Sequence, residues 1–324
     1  MRSADDRRRG LAHYRGERRN GAVNCGTDPN LREVDSEHFE KEENVTSLVA
    51  GFSGTTRLVV LVLLLGAVGG FAYWGSIPSA NVLTDNFSEP LNGATSAKVD
   101  IDTGDGNLTI DRLAGGEQVL ASGTLQYFEK QGLPTRTVNV SNGQATLTVR
   151  GSGGAIGRPW FRFPWAACNG AFEWQIHLNP SVSYDITARS GGGNVRLDLA
   201  GLALARLSAD SGGGNMDVVL PDNAADLSVT AKTGAGNVAI EVGPGTTGSN
   251  SVDAGSGAGN VSVRVPSGIA ARIHATTGLG KVIVDPRFVR TEKNTYQSPG
   301  YDTAADRVEI TVKSGAGNVS VDTK

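Results

Sequence analysis

Strict alternation of apolar and polar positions runs through the second half of the chain. Tyr184, Ile186 and Ala188 alternate with polar neighbours, as do Leu227, Val229 and Ala231, Ile273 and Ala275, and Val308, Ile310 and Val312. A period of two puts every second side chain on one face, so each run predicts a strand with one buried face. Between the runs one phrase recurs seven times: Thr103-Gly-Asp-Gly-Asn107, Ser190-Gly-Gly-Gly-Asn194, Ser211-Gly-Gly-Gly-Asn215, Thr233-Gly-Ala-Gly-Asn237, Ser256-Gly-Ala-Gly-Asn260, Thr277-Gly-Leu-Gly-Lys281 and Ser314-Gly-Ala-Gly-Asn318. Short alternating pairs follow it, such as Val195 and Leu197 or Val261 and Val263. Each repeat reads as strand, glycine-rich turn, strand, with glycine supplying positive φ and close backbone approach, and asparagine tolerating the left-handed region.

From Asn194 to Lys281 the steps are 21, 22, 23 and 21 residues, and the step to Asn318 is 37. The regular steps have the period of a solenoid, and the long one predicts an insertion. The predicted class is therefore all-β, a repeat β-solenoid with coils of about 22 residues. Stacking is expected to align Ser190, Ser211, Thr233, Ser256 and Thr277 in one ladder and Asn194, Asn215, Asn237 and Asn260 in another, each satisfying its own hydrogen bonds along the axis. Regularly spaced hydroxyls also fit a second reading, a row that binds ice or a sugar chain.

A different pattern lies upstream. Leu58 to Ile77 is twenty residues without a charge, and at ~1.5 Å per residue a helix of that length matches a ~30 Å hydrocarbon core. Tyr73 and Trp74 stand at its end, where amphipathic rings favour the interface. Lys41 and Arg57 precede the stretch and no Lys or Arg recurs until Lys98. That asymmetry predicts a cytoplasmic N-terminus and an outer C-terminal region at the cell membrane. A cleaved signal peptide is the competing reading, disfavoured by the length of the preceding segment and by Ile77 and Pro78 before Ser79 and Ala80. The arginines of the first segment come early and its acids late, with few apolar residues, a composition expected to be disordered. The expected organisation is a tail over 1–56, a transmembrane helix over 57–77, a linker over 78–97, a β-rich cap with the first repeat over 98–182, and solenoid repeats over 183–324.

Composition narrows the function classes. Glycine, 44 of 324 residues, is about twice its usual share yet has no three-residue period, so it punctuates structure and collagen is excluded. A formal net charge of −3 gives no basis for nucleic-acid binding. Two cysteines, Cys25 and Cys168, fall on opposite sides of the predicted span, which rules out a disulfide scaffold and a cysteine-rich zinc site. No cofactor is expected: the Gly-x-Gly-Asn phrase lacks the third glycine and helix of a dinucleotide fold and the Gly-Lys-Ser/Thr ending of a phosphate loop. Nor does it recur every nine residues with aspartate, as a calcium-binding β-roll requires.

Within the cap, Val119 to Tyr127, Arg136 to Ser141 and Ala145 to Val149 read as strands, the last two joined by Asn142-Gly143, and Trp174, Ile176 and Leu178 alternate as core. Trp160, Phe161, Phe163, Trp165, Phe172 and Trp174 crowd together with Arg158 and Arg162 interleaved. Arg158, Trp160, Phe161, Arg162, Phe163 and Trp165 are the candidate ligand or partner contact, since aromatics among cations stack on sugars or sit at a membrane interface. The same loop also suits a plug over the open end of the coil.

An extracellular enzyme acting on polysaccharide is the alternative class, and it needs two carboxylates at one cleft. Asp100 and Asp102 fall at outward parity, Asp198, Asp210, Asp217 and Asp253 are scattered, and His177 and His274 have no base or nucleophile beside them in sequence. Two or more of these acids gathered in one concave pocket would favour that class.

Residues 98–324 resemble the putative-adhesin, or toast-rack, family of β-solenoid envelope domains, which includes accessory proteins of the Lia envelope-stress type. The resemblance rests on Val99-x-Ile101-x-Thr103-Gly-x-Gly-x-Leu108-x-Ile110, on Trp174-x-Ile176-x-Leu178-Asn-Pro180-x-Val182, and on Leu197-x-Leu199-x-Gly201-Leu202 with the repeats after it. It implies a non-catalytic surface module, with a cell-wall glycan or an envelope sensor protein as partner. The long charged tail, the Trp/Phe-rich insertion and Lys281 in an asparagine position depart from the family pattern.

Overall fold

The computed structural model describes residues 81–115, 118–152 and 172–324. The predicted span, the charged tail and the candidate loop from Arg158 to Trp165 lie outside the described residues. The chain enters on β1 (Val82–Pro90), and β2 (Ser96–Asp102) and β3 (Asn107–Arg112) flank the first glycine turn. β4 (Val119–Phe128), β5 (Thr135–Ser141), β6 (Gln144–Arg150) and β7 (Glu173–Leu178) complete the N-terminal region. Four regular coils follow, each a longer strand, a turn and a shorter strand: β8 (Ser183–Ser190) with β9 (Val195–Asp198), β10 (Ala203–Ser211) with β11 (Met216–Val219), β12 (Ser228–Ala235) with β13 (Val238–Glu241), and β14 (Ser249–Ala258) with β15 (Val261–Val265). β16 (Ala270–Leu279) and β17 (Val282–Val284) form the next coil, β18 (Val289–Glu292) and β19 (Thr295–Gln297) a hairpin, and β20 (Arg307–Ala316) with β21 (Val319–Thr323) the last coil.

The longer strands assemble into an eleven-stranded sheet, β18-β19-β16-β20-β14-β12-β10-β8-β2-β6-β5, and the shorter ones into a ten-stranded sheet, β1-β4-β7-β3-β9-β11-β13-β15-β21-β17. The alternation predicted from sequence is the burial pattern observed. Ile186, Leu207, Val229, Val252, Ile310 and Ile273 follow one another across the long sheet in register, all buried. Leu197, Val218, Ile240, Val263 and Val321 do the same across the short sheet, and both rows belong to one core. Each such side chain removed from water contributes roughly 1.5–3 kcal/mol, which no single coil can collect alone.

The order of coils in space differs from their order in sequence at both ends. β20 lies between β14 and β16, and β21 between β15 and β17, so the last coil is inserted before the penultimate one. At the other end β2 and β3 lie between the β6/β7 coil and the β8/β9 coil. The long 37-residue step is thus more than an insertion. β16 has two edges; β19 pairs antiparallel with one, and the returning chain takes the other, on the side of β14. The register permits this because Val252 and Ile273 both face Ile310.

Of the stretch expected as a linker over 78–97, the described residues from Val82 on are part of the fold. β1 pairs antiparallel with β4 along its whole length, but only Phe87 in it is buried, so its sequence carries almost no alternation. Arg136 on β5, at the edge of the long sheet, bonds Glu89 at 2.5 Å and Asp85 at 3.1 Å and lies 4.7 Å from the Phe87 ring, joining the two sheets at this end. The family-like Leu178-Asn-Pro180 corner is fixed by Asn179, whose carboxamide donates to Val119 O at 2.6 Å. The Tyr184 hydroxyl donates to Asn179 O at 2.9 Å, and burial pushes that phenol far above its ordinary range, so it remains a neutral donor.

The transposed C-terminal coil makes a direct prediction. Without residues 299–324, β16 is free to pair with β14 in the same register. In a Cys25→Ser, Cys168→Ser background, cysteines at Asp253 and His274 stand two strands apart, about 10 Å, beyond disulfide reach. The truncated chain is expected to form that disulfide under mild oxidation and the full chain to remain reduced. A disulfide in the full chain would contradict the transposition.

Candidate functional site

The repeated turn is a structural device. Each asparagine carboxamide oxygen accepts the backbone N–H of the residue at the same position in the next coil: Asn107 from Asn194 at 2.8 Å, Asn194 from Asn215 at 2.9 Å, Asn215 from Asn237 at 3.0 Å, Asn237 from Asn260 at 2.9 Å, Asn260 from Asn318 at 2.8 Å and Asn318 from Lys281 at 3.0 Å. Asn318 and not Lys281 follows Asn260, which corrects the sequence-ordered ladder. Lys281 stands in the β16/β17 coil at the end of the stack, where no further turn amide needs an acceptor, so the carboxamide is dispensable there.

The turn hydroxyls do not bond one another as expected. They donate to glycine carbonyls of the preceding coil: Ser190 to Gly106 at 3.0 Å, Thr233 to Gly214 at 3.2 Å, Ser256 to Gly236 at 2.7 Å, Ser314 to Gly259 at 2.8 Å and Thr277 to Gly317 at 2.7 Å. They are buried or nearly so, which removes the ice- or sugar-binding reading from them. Gly236, at φ +134°, is obligatory: a Cβ there would fall on the carbonyl oxygen of Gly214 in the neighbouring coil.

The outward hydroxyls lie elsewhere. Thr148, Asp100, Thr187, Ser208, Thr230, Asp253, Thr311 and His274 form one continuous row across the outer face of the long sheet. They are the polar partners in the strand alternation, the signal that could have found them. Asp100 lies between Arg150 at 3.2 Å and Arg189 at 3.0 Å, and Lys232 bonds Asp253 at 2.6 Å, so the acids of this face sit in half-exposed ion pairs.

Of the residues weighed for catalysis, the long sheet carries Asp100, Asp102, Asp210, Asp253 and His274, and the short sheet His177, Asp198 and Asp217. His177 Nδ1 bonds Asp111 Oδ1, and Ser122 lies opposite His177 in register. The absence of a neighbouring base expected for His177 is therefore corrected, because β7 and β3 are paired although 66 residues separate His177 from Asp111. No hydrogen bond joins Ser122 to His177 among the described residues, so the serine is not activated there. A shallow groove on the same face brings Asp198 and Asp217 together with Glu241, Arg196 and Arg264. Asp217 is exposed and Glu241 is bound by Lys324, so the groove holds interleaved acidic and basic side chains open to water. Among the described residues no group of His, Cys, Asp or Glu is placed to hold a metal ion.

Of the aromatic cluster, the flanking residues are described and are core. Trp174 is buried with its Nε1 donating to Gln126 O at 2.9 Å, and Phe172 packs edge-on against Phe128 with centroids 5.3 Å apart. Phe172 also covers the Gly106 turn.

A cleft of about 390 Å³ opens where residues 298–307 fold back over the long sheet. Arg307 and Glu309 on β20 face it, with Ser249 and Ser251 opposite them on β14 and Arg272 opposite Glu309 on β16. Its wall is the single turn Tyr301–Thr303. Arg272 donates to Gln297 at 3.0 Å and Asp302 at 2.6 Å, and its guanidinium lies 4.4 Å from the Tyr301 ring. Gln297 in turn donates to Asp302 at 3.0 Å, closing a triangle. Burial, and after it the Glu309 carboxylate, raise the Tyr301 phenol, which therefore stays protonated. Sequence reasoning missed this cleft because its parts come from three strands and the insertion.

Comparison with known proteins agrees with this architecture. The family model described as the N-terminal domain of toast-rack matches residues 78–241, and the chain belongs to that family. A crystal structure described as a putative cell adhesion protein from Clostridium sporogenes is 21% identical and superposes with a TM-score of 0.53 over 74% of this chain and 99% of that one, so the fold is shared. A putative adhesin from Bacteroides fragilis is 14% identical, with a TM-score of 0.29 over 75% of this chain and 98% of that one. No protein with a curated description matches.

The ladder predicts a graded series. Asn237→Ala should cost about 1–2 kcal/mol, for the lost acceptor of the Asn260 N–H and the exposed carboxamide contacts with Asn215 and Asn260, Gly236→Ala about 3 kcal/mol or more from backbone strain and the clash with Gly214, and Lys281→Ala almost nothing. Thermal unfolding followed by circular dichroism ranks the three; equal effects of Asn237→Ala and Lys281→Ala would refute the ladder.

Proposed function

We propose that this chain is a non-catalytic surface module, a β-solenoid displayed outside the cell by a single membrane helix over Leu58–Ile77, that binds envelope material as an adhesin or as an accessory of envelope-stress signalling. The observation that carries it is the succession of a charge-free twenty-residue stretch and a capped solenoid of the toast-rack family. The C. sporogenes structure, described as a cell adhesion protein, supports the same direction. The two outer sheet faces present broad rows of hydroxyls and paired charges, a surface suited to an extended polymer or another protein and not to one small substrate. The enzyme alternative rests on the groove holding Asp198 and Asp217, and its test is loss of glycan cleavage in an Asp198→Asn, Asp217→Asn double variant.

Two measurements bear on the proposal. In intact cells a membrane-impermeant maleimide should label Cys168 and spare Cys25 until lysis; the reverse pattern would overturn the orientation. Replacing Trp160, Phe161, Phe163 and Trp165 by serine should reduce capture of cell-wall polymer while leaving the melting temperature unchanged, if the loop is a contact. A fall in melting temperature with unaltered capture would assign the loop to the plug instead.

A further inference from the structure

We infer that the cleft at Arg307 and Glu309 is a binding site for a hydroxylated carboxylate, a uronic acid unit of a glycan. The inference rests on the surface-module reading and names the chemistry that one part of that surface would take. The polar groups of the cleft divide into those already committed and those left open. Arg272, Gln297 and Asp302 form a closed triangle in which both carboxylate oxygens of Asp302 are used. Asn250 is likewise committed: its oxygen accepts Leu227 N at 2.9 Å and its amide donates to Thr247 O at 2.7 Å. These groups build the wall and hold it rigid.

Four groups are left open. Among the described residues, the Arg307 guanidinium has only a long 3.4 Å bond to Ala304 O, and Glu309 has only His274 Nε2 at 3.5 Å. The hydroxyls of Ser249 and Ser251 have no hydrogen-bond partner among the described residues. The pairing places Ser249 beside Arg307 and Ser251 beside Glu309, so the four form a quadrilateral, with Arg307 and Glu309 two residues apart on one strand face, about 7 Å along it.

That set discriminates among ligands. A guanidinium fork takes a carboxylate in a bidentate pair, while an ionised carboxylate such as Glu309 can only accept and so needs donors. Vicinal hydroxyls supply those donors and also accept from the two serines. A phosphate dianion would bring twice the negative charge of a carboxylate into a cleft that already holds Glu309. An ammonium group would find one open carboxylate and no aromatic face, since Asp302 is committed and Arg272 covers the Tyr301 ring. A neutral sugar would leave the Arg307 fork without its anion. Beside the cleft, Thr311, Asp253 and Thr230 continue outward across the sheet, one side chain per strand, with Asp253 paired to Lys232, so the next units of a linear chain meet small polar side chains and not bulk.

The test is calorimetric titration of the full chain, in detergent, with trigalacturonate, maltotriose and triglycine. Saturable binding of trigalacturonate is expected, weakened at least about tenfold by Arg307→Gln and by Glu309→Gln, the loss of one charge-assisted contact each, and unchanged by Arg150→Gln at the far end of the same face. Maltotriose should bind at least about tenfold more weakly than the uronate. Ser251→Leu, which fills the cleft without touching the triangle, should abolish binding with the melting temperature retained. No saturable uronate binding, uronate binding insensitive to these substitutions, or tighter binding of triglycine would overturn the inference. Loop-dependent capture of wall polymer with no uronate binding would overturn it while leaving the surface-module reading in place.

Discussion

Everything in this protein depends on how closely one coil can lie on the next. Parallel strands pair at about 4.8 Å, and a turn connecting two sheets must stack at that same spacing without side chains in the way. The two glycine columns meet this requirement: a Cβ on Gly257 or Gly315 would stand 2.5 Å from the glycine carbonyl of the neighbouring coil. With the backbones this near, each coil's turn N–H finds the asparagine oxygen of its neighbour, and each hydroxyl finds the neighbouring carbonyl. The turn side chains thus add to the backbone bonds that already run from coil to coil through the turns, such as Gly236 N–H to Ala258 O and Val238 N–H to Asn260 O.

The same repetition creates two ends, and the ends explain the irregular parts of the chain. A stack of identical coils would finish in open strand edges, which attract further strands. At one end the β18/β19 hairpin pairs with β16 and covers the edge of the long sheet, while the short sheet ends in β17, three residues bounded by Lys281 and by Asp285-Pro286. At the other end β4 pairs antiparallel with β7 and β1 antiparallel with β4, and Arg136 ties β1 to β5. Both ends transpose a coil, because a chain that leaves to build a cap must return, and the inner edge is where a strand of matching register remains unpaired.

The turns serve stability, which leaves the outer faces and the cleft that the C-terminal insertion adds as the surfaces open to a ligand. The cores of the two sheets are aliphatic and uniform along the stack, whereas the outward rows vary freely, since a half-exposed side chain on a paired strand costs little to change. One scaffold can therefore carry different contact chemistry from member to member. The groups that catalysis would need are present on those faces, as with Ser122, His177 and Asp111, but without the enclosure and activated geometry that would make them work together.

What the sequence by itself determined was everything that repeats: the strands from their period of two, the turns from Gly-x-Gly-Asn, the buried faces from Val229 or Ile310, and the all-β stack from the steps between Asn194 and Lys281. These were legible because each is set by neighbours along the chain. The β1 strand was not, since a single Phe87 at a sheet edge leaves no pattern. Nor were the inserted position of β20, the His177–Asp111 pair or the Arg307–Glu309 cleft. Those depend on which strand lies beside which, and identical coils offer the same register to several partners. Only the tertiary structure decides among them, because the deciding terms are the two edges of β16 and the need to cover the end of the stack.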